Sequence, residues 1–148
     1  RLAYAKLFEE DILLAIHKDS HVNDYFKNKD DNSLTIEDLN KLRSESFIMC
    51  QKGRNLRDIS IAICHKAGFE PNIVYETPSC ENITEMILQD IGLGFVPRRT
   101  IEAYPPDRRP RYYRILDDIS SQTFVLAYRE GALSRAAQAF YSIMTEND

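Results

Sequence analysis

Two short polar stretches each follow an apolar run and lead into an amphipathic one. Gln51-Lys52-Gly53-Arg54-Asn55 follows Phe47-Ile48-Met49-Cys50, and Glu76-Thr77-Pro78-Ser79 follows Ile73-Val74-Tyr75. In an open parallel sheet, ligands collect beyond the carboxyl ends of the strands, where loops pass into helix N-termini. The first N–H groups of a helix lack an intrahelical partner and favour anions. Lys52 and Arg54 add positive charge, and Gln51, Thr77 and Ser79 can donate hydrogen bonds. The candidate ligand-binding residues are therefore Gln51, Lys52, Gly53, Arg54, Thr77 and Ser79, with Val96 and Pro97 as part of the cleft wall. A small molecule bearing a carboxylate is the ligand class that suits them. For each residue singly, an ordinary turn or capping role explains its presence as well.

Other reactive residue types form no constellation. Cys50, Cys64 and Cys80 lie far apart in apolar or helical settings. Their odd number and wide spacing fit a reducing compartment and thiols that pack as small hydrophobes, not a disulfide framework. His17-x-x-x-His21 has helical spacing but falls where a strand runs into a loop, and no carboxylate or cysteine pattern completes a ligand set with His65. No G-x-S-x-G elbow, Walker loop or H-E-x-x-H occurs, so no catalytic residue, metal or cofactor is expected. Arg98, Arg99, Arg108, Arg109 and Arg111 surround Pro105, Pro106 and Pro110, and Thr100 to Arg111 is expected to be a solvated loop that holds no helix. A net charge of −4 argues against this chain gripping nucleic acid by itself.

The elements that must position these residues follow from hydrophobic period. Ile12–Ile16, Phe47–Cys50, Ile73–Tyr75, Leu93–Val96, Tyr112–Leu116 and Phe124–Tyr128 read as strands, the first four of them buried. Thr35 caps a short helix, with Asp38 reaching back in a shortened capping box. Leu56 to Lys66 is a helix with Leu56, Ile59, Ile63 and Ala67 on its core face and Gly68 at its end. Ser79 is expected to cap the next helix, which buries Ile83, Met86, Ile87 and Ile91 and stops where Gly92 turns left-handed. Ser134 caps a last helix with core positions Ala136, Ala137, Phe140 and Met144. Asn23 to Ser33 is a polar loop with one helical turn near Tyr25-Phe26. Strand, helix and strand within Ile73 to Pro97 imply a parallel sheet. At 148 residues one sizeable core is expected, and no apolar run has the length of a bilayer span.

The order of these blocks resembles the effector-binding domain of LysR-type transcriptional regulators. The resemblance rests on an apolar strand, Glu76, a polar turn, an amphipathic helix, the turn Ile91-Gly92-Leu93-Gly94, a second apolar strand and Pro97. It extends to Ala67-Gly68-Phe69-Glu70-Pro71 after the preceding helix, and to Phe124–Arg129 followed by Ser134 to Phe140. It departs at His21-Val22, where His-Pro is the family pattern. The resemblance implies an α/β fold: a Rossmann-like, parallel-dominated sheet with flanking helices, one half of a type 2 periplasmic-binding-protein-like bilobal domain. On this reading residues 1–13 are a remnant of effector subdomain I and its hinge, 14–123 are subdomain II, and 124–148 are the return strand and C-terminal helix of subdomain I. Arg1 in place of Met suits a fragment, and weak or absent effector binding by the fragment alone, with self-association, is expected of it.

Further implications are a cytoplasmic protein that is not an enzyme and a homodimer or higher oligomer. Its partner would be a small effector, with DNA held only through a separate N-terminal helix-turn-helix and no membrane partner. Peroxide-sensing members carry a reactive cysteine at the position of Asn55 and a second one nine residues on, at the position of Cys64. Only Cys64 is present here, in a helix body, so that mechanism is not expected. The alternative function is a solute-binding protein of a transport system with a related two-lobed fold. A third class, an α/β enzyme using Cys50 or Cys64, would show turnover abolished by Cys→Ser.

Overall fold

The computed structural model describes residues 1–129, 138, 139, 142 and 143. The elements run β1 (Leu2–Ile16), β2 (Ser33–Leu34), α1 (Ile36–Leu39), β3 (Ser46–Cys50), α2 (Asn55–Lys66), β4 (Asn72–Thr77), α3 (Ile83–Leu88), β5 (Gly94–Pro97), α4 (Arg98–Glu102), β6 (Arg111–Ile115) and β7 (Ser121–Arg129). Short 3-10 turns cover His21–Phe26, Asp30–Asn32, Asn40–Leu42, Cys80–Asn82 and Pro106–Arg108. The last helix expected from Ser134 lies outside the described residues.

The chain divides into two compact units, residues 11–121 and residues 1–10 with 122–148. In the larger unit the strand order is β2-β6-β1-β5, and β3 pairs with β4. A parallel bridge between Phe47 and Leu93 joins these two groups, with Ile48 N–H donating to Leu93 O at 2.8 Å and Leu93 N–H to Ser46 O at 2.9 Å. β3 and β4 are parallel, as are β2 and β6, whereas β1 runs antiparallel to both β5 and β6. The fold is α/β: β4 and β5 both run parallel to β3, which lies between them, as the local strand-helix-strand order implies, and the antiparallel β1 makes the sheet as a whole mixed. Ile12–Ile16 are buried without a break, as a central strand covered on both faces requires. Phe47 stacks on Phe95 at 5.9 Å between ring centres, and Ile48, Ile63 and Ile87 join the same core. In the smaller unit β7 pairs with β1, and Phe8 stacks on Phe124 at 4.5 Å.

The helix ends are set by residues close to them in the chain. Thr35 and Asp38 form the full reciprocal capping box at α1. α2 ends at Gly68 with φ +93°, and Phe69 N–H returns to Cys64 O as the left-handed stop predicts. At α3 three expectations change. Asp90, not Gly92, takes the left-handed conformation (φ 59°), and Ile91 N–H bonds back to Met86 O. Gly92 is required for a different reason: a Cβ there would stand 2.8 Å from Ser46 O, where β5 is entered against β3. Ile91 lies past the helix end and is exposed, so α3 buries Ile83, Thr84 and Ile87 instead. Ser79 makes no side-chain cap.

Two further readings are corrected. Ile73-Val74-Tyr75 is not a buried strand: Val74 and Tyr75 are each 48% exposed, and among the described residues β4 pairs with β3 alone. The segment from Thr100 does hold helix, since α4 occupies Arg98–Glu102 directly after Pro97, before the first interior proline at Pro105.

Candidate functional site

The carboxyl ends of β3 and β4 lie side by side because the two strands are parallel and in register from Ile48–Tyr75 to Cys50–Thr77. The sequence-predicted polar residues therefore meet. Gln51 N–H donates to Thr77 O at 2.9 Å, continuing the ladder one residue past β3. Gln51, Lys52, Gly53 and Arg54 are all exposed, and Gly53 turns the chain at φ +90°, a backbone conformation that a Cβ disfavours. Arg54 reaches across to donate to Pro78 O at 3.2 Å. The Thr77 hydroxyl is spent inside its own turn, bonded to Ser79 N and Ser79 O at 3.2 Å each. Ser79 is half-buried beside it.

Val96 and Pro97 stand apart from this set. Both are buried in β5 and paired with Leu13 and Ile12 of β1.

Arg57 is part of the site and was not singled out from sequence. From the first turn of α2 its Nη1 donates to Cys50 O and to Glu76 Oε1, both at 2.9 Å. A cation near a helix N-terminus opposes the dipole, and the Glu76 carboxylate offsets it. That misplaced charge was the readable signal. Cys50 and Cys80 are also corrected: they are joined in a disulfide, with Cα atoms 5.3 Å apart, and are not independent thiols. Thirty residues separate them, so nothing in their spacing announced the pair. Cys64 is the free, buried cysteine. Burial, and then the negative charge of Glu70, push its thiol up to about 12, which leaves it without nucleophilic thiolate at neutral pH.

At the opposite end of the sheet a cleft of about 450 Å³ is lined by His17, Asp19, His21, Glu45 and Asp90 among others. His21 Nε2 lies 3.8 Å from Glu45 Oε1, Tyr25 O–H donates to the same carboxylate at 3.1 Å, and His17 Nδ1 accepts from Asp19 N–H. His65 instead pairs with Glu70 at 2.7 Å on α2. Among the described residues no group of His, Cys, Asp and Glu is arranged to hold a metal ion. The arginine-rich segment is tied down locally: Arg99 pairs with Glu81 at 3.0 Å, Arg109 donates to Tyr104 O, and Arg111 donates to Asn32 Oδ1. No helix among the described residues is long and apolar enough to cross a membrane.

Comparison with known proteins bears on the same arrangement. The family described as LysR substrate binding domain matches residues 1–148. An uncharacterized HTH-type transcriptional regulator of Bacillus subtilis, YwbI, is 30% identical over 103 residues, covering 69% of this chain and 34% of that protein. The chain thus spans about a third of that relative's length. The regulatory domain of CcmR from Synechocystis, solved in complex with 2-PG, superposes with a TM-score of 0.79 at 18% identity, covering 99% of this chain and 66% of that one. The effector-binding domain of BenM with its effector benzoate gives 0.73 at 18% identity, covering 99% and 63%.

Proposed function

As the chain belongs to the LysR substrate-binding domain family, we propose that it senses a small effector for a transcription regulator, and that the Gln51–Arg54 and Thr77–Ser79 loops contact that effector. The observation that carries this reading is the meeting of the two loops at the carboxyl end of β3 and β4, tied by Gln51 N–H to Thr77 O. Lys52 and Arg54 present positive charge there beside the start of α2, whose twelve residues give it a full macrodipole. That chemistry suits a carboxylate, the class to which BenM's benzoate belongs. Val96 and Pro97 would form the floor, and Arg57 would hold the first loop to the second.

In this reading residues 14–123 are the second effector subdomain, and 1–13 with 124–148 belong to the first. The protein acts by binding, not catalysis, in the cytoplasm, as a homodimer or higher oligomer whose DNA contacts lie in another domain. Effector binding shifts DNA binding only if the ligand prefers one arrangement of the protein over another. The relative named above is a transcription regulator, and nothing in the site favours the transport alternative.

Thermal-shift titration with small carboxylates, benzoate and 2-PG first, tests the site. Saturable stabilisation is expected, weakened about tenfold in Kd by Lys52→Ala with Arg54→Ala, a loss equivalent to about 1.4 kcal/mol. Saturable binding untouched by that pair would place the ligand elsewhere. No response to any carboxylate at millimolar concentration would remove the anion assignment.

A further inference from the structure

The three cysteines are of two kinds. Cys64 is enclosed by α2 and its neighbours and keeps its proton. Cys50 and Cys80 each border one of the two loops: Cys50 precedes Gln51, and Cys80 follows Ser79. Their bond therefore closes a ring around the candidate site, alongside Gln51 N–H to Thr77 O and Arg54 to Pro78 O. It is not needed to bring the strands together, because β3 and β4 already pair along their whole length and β3 lies in the core. Cys50 is 1% exposed, whereas Cys80 is half-buried, which makes Cys80 the more open residue of the pair.

We propose that Cys50 and Cys80 form a reversible thiol–disulfide site that clips the Gln51–Arg54 loop to the Thr77–Ser79 loop. Its redox state then sets whether those loops can part to admit a ligand. The control of ligand entry and the expected reversibility both rest on the regulator reading above; the Cys50–Cys80 pairing itself does not. A DNA-binding regulator works where thiols are kept reduced, and a disulfide in such a protein is characteristically transient. Reduction proceeds by exchange. A thiolate bonds to Cys80 Sγ as the Cys50–Cys80 bond breaks, and its electron pair leaves on Cys50, which takes up a proton. A second thiolate then bonds to the first reductant sulfur, breaking the mixed disulfide and releasing Cys80 to be protonated. Two electrons pass from two thiols, which become one disulfide, and the two protons they lose end on Cys50 and Cys80. Oxidation by a small disulfide is the same sequence reversed.

The test is equilibration of the protein in graded mixtures of reduced and oxidised glutathione, followed by acid quench, alkylation with N-ethylmaleimide under denaturing conditions and peptide mass mapping. Cys50 and Cys80 are expected to be lost to alkylation together, in one two-electron transition, while Cys64 stays alkylated throughout. Cys64→Ser should leave the transition in place, and Cys80→Ser and Cys80→Ala should each abolish it. Hydrogen exchange of the Gln51 and Ser79 amides, which bond to Thr77 O and Thr77 Oγ1, should be at least tenfold faster in the reduced protein, with β1 amides unchanged. Independent alkylation of Cys50 and Cys80 in oxidised glutathione, or equal exchange in both states, overturns the clip. If the clip forms but no carboxylate binds in either state, the anion-site reading fails and the clip stands. If benzoate or 2-PG binds equally well to both states, the proposed control of entry is wrong.

Discussion

β3 and β5 both run into helices at the same edge of the sheet, yet they end in opposite ways. β3 reaches α2 through four exposed residues, Gln51–Arg54, with Gly53 at φ +90°. β5 reaches α4 through none: Pro97 is followed at once by Arg98, and Pro97 O accepts from Thr100 Oγ1 at 2.8 Å. Thr100 has one hydroxyl proton, which that bond uses, so Thr84 must donate in the buried Thr84–Thr100 contact at 2.9 Å. Of the two strand ends, only that of β3 keeps polar groups in solvent on a loop. At β5 the same position is closed over by two threonines, and Val96 and Pro97 are buried in the strand that ends there.

The contrast can be broken in a graded series. The largest effect is expected from Gly92→Val, whose Cβ meets the Ser46 carbonyl that registers β5 on β3; overpacking against backbone should cost about 3 kcal/mol in urea unfolding. Thr100→Val unseals β5: it strands the buried Thr84 hydroxyl and should cost about 2 kcal/mol, whereas Thr84→Val leaves the bond to Pro97 O intact and should cost about 1 kcal/mol. A reversed order would show that the hydrogen-bond direction assigned here is wrong. Gly53→Ala acts on the open end, where no atom lies within 4 Å of the added Cβ, so only the positive φ opposes it, at about 1 kcal/mol. Smallest is Lys52→Ala, exposed and outside the core, which should move stability by less than about 0.5 kcal/mol while weakening carboxylate binding. A stability loss as large as that of Gly53→Ala would mark Lys52 as part of the fold.

Sequence reasoning reached furthest where the physics is local. The Thr35–Asp38 box, the Gly68 stop and the α2 helix each depend on residues within a few positions of one another, and all appear in the structure. It failed where a neighbour distant in the chain decides. Ile73-Val74-Tyr75 has the composition of a central strand but received an edge position, and Gly92 is demanded by the Ser46 carbonyl rather than by its own φ. Within the site, Lys52, Gly53 and Arg54 were legible as a polar turn before a helix. Arg57 was hidden because its partners, Cys50 O and Glu76, come from two different strands.

What the amino-acid order determined alone is most of the succession of strands, turns and helices, α4 excepted, and with it the family resemblance, because periodicity and helix stops act over a few residues. Tertiary structure alone decided which strand end stays open, which is sealed by Thr84 and Thr100, and which two of three cysteines meet. Those outcomes depend on side chains converging from positions tens of residues apart, and that convergence is set by how the strands order themselves in the sheet.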